Sequence, residues 1–377
     1  MLKSSFKRIG INLLFLFPGK VGGTEIFARK LLEIVDKTFA KENLVVVYCQ
    51  KEFANTVNYQ NIKISVCPIF FSNKMSRLFY ELLILPFVLL RDKIDLLHSM
   101  GYTSPIITNC PKIVTIFDTQ YISFPNTISK FYRTIYLILI PLIAKTCDKI
   151  ITVSTFSKNE IIKNLKVDPG KIQVIYGGVS QIVNKPVSDL DRGNYIMTSA
   201  ATHPHKNILN LVKAFNTLIT DEKFKKFKLI ISGFPSIGQN DITNFLIKNK
   251  LTNQVKFLGW LDHSKNLEKM SKARLFVFPS LYEGFGLPAL ESLSLGTPLV
   301  VSNSASLPEV VGNSAVIINA QKSRNILLGI KKVLTNQILR NNNVKNGLQR
   351  AKLFGWKKSA DKTIVLYKSF LNYGQLS

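Results

Sequence analysis

RLFVFPSLYEGFGLPALESLSLGTPLVVSNSASLPEVVG, residues 274–312, holds a strand, a loop, a helix and a second strand in one run. The apolar β-rich opening ends at Pro279-Ser280. A loop with Glu283, Gly284, Phe285 and Gly286 follows. Pro288 suits the first helical position, where its fixed φ fits and no backbone donor is wasted. The amides near Phe285, Gly286 and Leu287 then open a helix, an anion site suited to a diphosphate. Glu291 is expected in the first helical turn, so the two carboxylates read as Glu283-x7-Glu291. Residues 284–289 also match G-x-G-x-x-A, but no acid stands where a dinucleotide fold needs one, around Asn303–Ser306.

The same alternation extends in both directions. Strands are expected at Ile9–Phe17, Leu44–Tyr48, Ile94–His98, Ile113–Phe117, Lys149–Val153 and Ile172–Tyr176, with helical patterns such as Thr24–Phe39 between them. A helix at Ser157 is predicted from a capping box with Glu160. Further strands are expected at Tyr195–Ser199, Phe227–Ser232, Val255–Gly259, Arg274–Pro279, Pro298–Ser302 and Ala315–Ile318. Near-continuous apolar strands alternating with helices mean parallel sheets covered on both faces. Tyr176–Asn194, rich in Gly, Asn, Ser, Asp and Pro, reads as a linker. The expected domains are 1–185 and 186–355, followed by a terminal helix, 356–377. Ligands of such sheets bind at the carboxyl ends of the strands, so a site between the domains is expected.

The Glu283-x7-Glu291 segment, with GTPLVVS and LPEVVG after it, resembles the retaining nucleotide-sugar glycosyltransferases of family four. That resemblance implies the GT-B fold: two Rossmann-like domains facing each other across a cleft, acceptor side first and donor side second. It implies that Glu283 faces the donor sugar, that Glu291 holds the ribose hydroxyls, and that Lys206 holds the diphosphate. The family's arginine partner is missing; Ala200 and Ala201 fill one possible place, and His205 stands in another. The resemblance makes Phe285, Gly286 and Leu287 the donor-binding loop, and 356–377 the closing helix that returns to the first domain with Trp356 as its packing anchor. Gly22 and Gly23, in PGKVGGTE after the first strand, let backbone approach a ligand and belong to the same donor region. Phe117 replaces the family's usual histidine beside Asp118, so the slot cannot titrate. Asp118 and Glu309 are further candidates. The resemblance also implies a front-face displacement in which the leaving phosphate helps deprotonate the acceptor.

The 377 residues carry 50 basic and 23 acidic side chains, a net charge of +27 spread over both halves. With 46% hydrophobic residues this excludes wholesale disorder and points to an anionic substrate or anionic lipid. No recognition motif supports a nucleic-acid partner. Four scattered cysteines fit reduced thiols, and no histidine or cysteine pattern fits a metal. Asp189-Leu190-Asp191 sits in the linker and reads as polar surface. The opening MLKSSFKRIGINLLFLFPGK imitates a signal peptide but reads as a buried strand.

Leu82–Leu90 and Thr134–Ala144 are apolar, flanked by bases, and shorter than the ~17–25 residues a spanning helix needs. They read as helices packed on a sheet or as a basic, apolar surface on an anionic leaflet. The expectation is a cytoplasmic hexosyltransferase, peripheral on the inner membrane face. It moves a sugar of the mannose or rhamnose class from a nucleoside diphosphate to a glycan or lipid-linked acceptor in polysaccharide or lipopolysaccharide assembly. No metal or other cofactor is expected. A nucleotide-sugar epimerase of the same fold and a basic nucleic-acid binder are the alternatives.

Overall fold

The computed structural model describes residues 6–19, 21–68 and 74–371. Lys20 of the glycine loop and the last residues of the expected terminal segment lie outside them. The chain forms two compact units. The first holds the described residues up to Ser123, Ile128–Gly178, and Trp356 onward; the second holds Phe124–Thr127 and Val179–Gly355.

The sheet of the first unit contains β1 (Arg8–Asn12), β2 (Leu44–Cys49), β3 (Ile62–Val66), β4 (Leu96–Ser99), β5 (Lys112–Thr115), β6 (Lys149–Thr152) and β7 (Ile172–Val174). Every pairing is parallel, in the order β3-β2-β1-β4-β5-β6-β7. β1 was expected to run to Phe17. It stops at Asn12, whose side-chain carbonyl accepts the Leu14 amide and turns the chain. β3 was not expected, because Ile62-Lys63-Ile64-Ser65 alternates polar and apolar residues as an edge strand does. The helix at 155 also differs from expectation. It spans Thr155–Leu165, and Ser154 rather than Ser157 caps it by accepting the Ser157 amide.

The terminal helix Trp356–Phe370 packs within this unit. The buried Trp356 ring meets Phe27 edge-on, with centroids 5.8 Å apart. Its other anchor is Tyr367, whose hydroxyl lies 2.6 Å from His98 Nδ1; His98 Nε2 lies 2.8 Å from Thr115 Oγ1. His98 is fully buried, and that burial pulls its imidazole down to about 3.

The sheet of the second unit contains β8 (Gly193–Ser199), β9 (Lys228–Ser232), β10 (Val255–Gly259), β11 (Ala273–Phe278), β12 (Leu299–Ser302) and β13 (Val316–Ile318), all parallel, in the order β10-β9-β8-β11-β12-β13. This unit begins at Val179, ahead of the expected boundary at 186. The linker is bonded into it. The Val179 amide donates to Phe354 O, the Val183 amide donates to Ser294 O, and Asp189 pairs with Arg340 at 2.6 Å and Arg274 at 3.7 Å. Composition marks a flexible stretch but cannot show which side will bind it. Among the described residues no helix is long and apolar enough to cross a membrane.

Candidate functional site

In the second sheet β8 and β11 are neighbours, although two strands, β9 and β10, lie between them in the chain. The strand order reverses at this pair, and a doubly wound sheet opens its ligand crevice there, beyond the carboxyl ends of the strands. The loops leaving β8 and β11 carry the candidate residues.

The chain leaves β8 through a short 3-10 turn, Pro204–Lys206, and Asn207 then adopts left-handed backbone with φ 62°. Asn207 donates its side-chain amide to the carbonyls of Pro279, at 3.1 Å, and Ala320, at 2.7 Å. The Leu281 amide donates to the His205 carbonyl at 2.7 Å. These bonds fasten the turn onto the loop after β11. They bring Lys206 Nζ within 2.7 Å of Glu283 Oε1, although the residues are 77 positions apart. The lysine side chain is 20% exposed and the glutamate 11%, so the pair is largely withdrawn from water.

A second clamp holds the glutamate loop. The buried Ser306 hydroxyl, at the start of the helix Leu307–Val311, lies 2.9 Å from Glu283 O and 2.8 Å from Phe285 O and donates to both carbonyls. Gly286 then takes φ 98°, which admits glycine and few other residues. A Cβ there would come within 2.6 Å of Leu307 Cδ2. The helix that follows is Leu287–Ser294, with Leu287 first and Pro288 second. Glu291 is therefore its fifth residue and not in the first turn, because the left-handed glycine lets the helix begin one residue early.

Glu291 is buried, and burial pushes its carboxyl up to about 8. His263 Nε2 lies 3.6 Å from Glu291 Oε1. Near neutral pH the group is thus mostly an uncharged acid, able to donate one hydrogen bond and accept others. His205 is buried too. Burial, then the charge of Lys206, then His203, hold its imidazole at about 3. It supplies no cation at neutral pH, so the position that could have replaced the missing arginine leaves Lys206 as the charge on this turn.

Lys206, His205, Glu283, Phe285, Gly286, Leu287 and Glu291 all lie in the second unit. Phe285 packs edge-on against Phe354 at 5.9 Å, so its backbone and not its ring faces the loop chemistry. Glu309 sits on the helix Leu307–Val311, and its carbonyl accepts from Arg350. Gly22 and Gly23 belong to the first unit, where Gly22 precedes the helix Gly23–Lys37 at φ 61° with open space beside it. Glu25 folds back to accept the Gly19 amide at 2.8 Å and shapes that loop. Phe117 packs against Phe27 at 5.5 Å and Tyr102 at 5.9 Å, so the slot holds an aromatic cluster. Asp118 accepts from Tyr102 and from the Gln120 amide, a loop-fixing role. Asn207 and Ser306 escaped the sequence reading. The available signals were an asparagine directly before a helical pattern and a Ser-x-x-Glu pattern at 306–309, neither of which reveals a tertiary partner.

The arrangement can hold a diphosphate between one lysine and a helix N-terminus, with carboxyls on either side. Solved glycosyltransferases share the fold. HepE of Anabaena, in complex with UDP and glucose, superposes with a TM-score of 0.74 at 17% identity over 96% of this chain and all of that one. This is the GT-B class. The model described as Glycosyl transferases group 1 matches residues 181–350, and the one described as Glycosyltransferase Family 4 matches residues 21–181. The chain belongs to glycosyltransferase family 4. It is 27% identical over 203 residues to the O-antigen chain mannosyltransferase RfbU of Salmonella typhimurium, 54% of each chain. It is 28% identical over 225 residues to the UDP-Gal:alpha-D-GlcNAc-diphosphoundecaprenol alpha-1,3-galactosyltransferase of Escherichia coli, 55% of this chain and 58% of that one. The matched stretch therefore spans little more than half the length of these curated relatives.

Proposed function

We propose that the chain transfers a hexose from a nucleoside-diphosphate sugar to a glycan or lipid-linked acceptor, with retention at the anomeric carbon, in assembly of a surface polysaccharide or lipopolysaccharide. The 2.7 Å contact of Lys206 with Glu283 carries the reading, because it sets one cation and one carboxylate beside a helix N-terminus. The names of the relatives support a hexose and a lipid-linked or O-antigen acceptor. They differ in the sugar, one being named a mannosyltransferase and the other a galactosyltransferase.

In this account Lys206 and the amides around Gly286 neutralise the diphosphate. Glu283 receives hydroxyls of the donor sugar, and Glu291 receives those of the ribose. The bond between the anomeric carbon and the phosphate oxygen breaks as the acceptor oxygen bonds to the same face. The acceptor proton passes to the leaving phosphate. The lysine and the helix amides already stabilise the charge on that phosphate, so no metal is required. The enzyme works as a peripheral protein on the cytoplasmic membrane face, where lipid-linked acceptors stand.

The test is incubation with UDP-, GDP- and dTDP-hexoses, in EDTA, with a lipid-linked oligosaccharide extract as acceptor. The reading expects label in the lipid fraction with the donor's anomeric configuration by NMR. Inverted product would remove the front-face mechanism, and altered sugar nucleotide without acceptor would remove the transferase.

A further inference from the structure

Two helical stretches of the first unit lie side by side. One runs from Lys74 to Arg91 through the helix Lys74–Phe79, a π turn at Tyr80–Ile84 and the helix Leu85–Arg91. The other is Lys130–Thr146. Leu78 shares one apolar cluster with Leu139, Ile140 and Ile143, and Lys74 Nζ sits 5.1 Å over the Tyr132 ring.

Their outward faces are unusual. Nine of the twenty-two large apolar side chains that stand exposed among the described residues lie on these two stretches. Phe79, Leu83, Phe87 and Leu90 follow helical spacing and form one ridge; Phe87 is 73% exposed. Phe131 and Ile138 make a parallel ridge, 61% and 67% exposed. Large contiguous apolar surface of this kind marks an interaction site. Glu81 is the one acid in either stretch, and it is buried, accepting from Asn12 at 2.6 Å and Thr103 at 2.8 Å. The exposed charges within the two stretches are therefore all positive: Lys74 ends one ridge and Lys130 and Lys145 end the other, while Arg91 is paired with the neighbouring Asp92 at 3.0 Å.

We infer that this double ridge docks on an anionic bilayer, its phenyl and leucyl groups entering the headgroup–acyl boundary and its end cations, Lys74, Lys130 and Lys145, resting on lipid phosphates. Apolar side chains framed by bases have the composition such an interface takes up. A second copy of the chain is a poorer occupant, because two such faces would press like charges together. Glu81 fastens the π turn to the end of β1, so the ridge is rigidly tied to the strand that leads into the Gly22–Gly23 loop. The inference deepens the proposed function by placing the enzyme where lipid-linked acceptors are, and its test does not depend on transfer.

The full chain is mixed with phosphatidylcholine vesicles, with and without phosphatidylglycerol, and bound protein is read by flotation. Binding is expected to the anionic vesicles, to fall as salt rises, and to weaken about tenfold or more in Phe87→Glu and in Phe131→Glu. Both side chains already face water, so the variants keep the wild-type melting temperature and nucleotide response. Equal binding by wild type and variants, or none to anionic vesicles, overturns the inference. So does a wild-type dimer that Phe87→Glu splits, which would assign the face to a second copy. Vesicle binding without sugar transfer leaves the docking face standing and removes the transferase reading; transfer to a soluble acceptor without vesicle binding does the reverse.

Discussion

Lys206 Nζ and Glu283 Oε1 stand 2.7 Å apart, so the lysine assigned to the donor phosphate is already neutralised by the carboxylate assigned to the donor sugar. Donor binding must divide this pair between two ligands. Glu283→Gln removes the competitor and leaves the lysine fully available. The variant is expected to bind nucleoside diphosphate about fivefold more tightly, the worth of a partly screened ion pair. It should also lose at least about a hundredfold in transfer, since the sugar loses its charged partner. Titration calorimetry and a transfer assay on one preparation check both halves. Tighter binding with intact transfer would remove Glu283 from the reaction.

Lys206→Ala acts in the opposite direction. It strands a carboxylate that is only 11% exposed, so unfolding free energy should drop by about 1–3 kcal/mol, and nucleotide binding should weaken. Adding Glu283→Gln removes the stranded charge and should recover most of the stability but none of the binding. Chemical denaturation of the two variants, with a nucleotide titration of each, separates the structural from the ligand role.

Glu291 links binding to pH. Its carboxyl, held at about 8 by burial, is mostly protonated at neutral pH in the free protein. Two ribose hydroxyls donating to it favour the charged form and pull the value down. Nucleotide binding should then release about one proton at pH 7, and affinity should rise by up to about tenfold per pH unit between about 5 and 8. Glu291→Gln removes that component, so the difference between wild type and variant isolates it from the titration of the phosphates. Calorimetry in buffers of unlike ionisation enthalpy reads the proton directly. Identical proton release in both proteins would contradict the ribose assignment.

Gly286→Ala meets a positive φ and Leu307 together. It should cost about 1–3 kcal/mol of stability and disturb the loop that holds Glu283. The melting temperature and nucleotide affinity should fall together; a variant of wild-type stability would deny that the left-handed residue is needed.

His98 sets part of the acid limit. Its folded value near 3 lies below the ordinary 6.5, so the unfolded chain binds the extra proton between these values. The stability it confers is fully present above about 6.5 and drains away as pH falls toward 3, on the order of 5 kcal/mol in total. His98→Gln cannot take up that proton and should show a flatter acid limb in urea unfolding between pH 6 and 4, an interval chosen from roughly those two values.

The fold was legible because parallel strands buried on both faces are written as runs such as LVVVYC, with little to confuse them. β3 was missed because its polar residues obey edge-strand rules, and Leu13–Phe17 was overread because hydrophobicity does not show the turn that Asn12 makes. In the site, the glycine and proline punctuation around Glu283 and Glu291 was local and readable. The contact of Lys206 with Glu283 was not, since it is made by Asn207 and Ser306 bonding to carbonyls on distant loops. The neutrality of His205 was equally hidden, because it comes from burial and neighbouring charge.

The central claim is that the Lys206–Glu283–Glu291 constellation binds a nucleoside diphosphate. Thermal stabilisation of the purified chain by the diphosphates UDP, GDP and dTDP, with the monophosphate CMP for comparison, each in EDTA, tests it most directly. One diphosphate should stabilise the wild type, by about 2.7 kcal/mol at a hundred times its dissociation constant, and should leave Lys206→Ala much less affected. Stabilisation by none of the diphosphates, or an equal response in Lys206→Ala, would contradict the account.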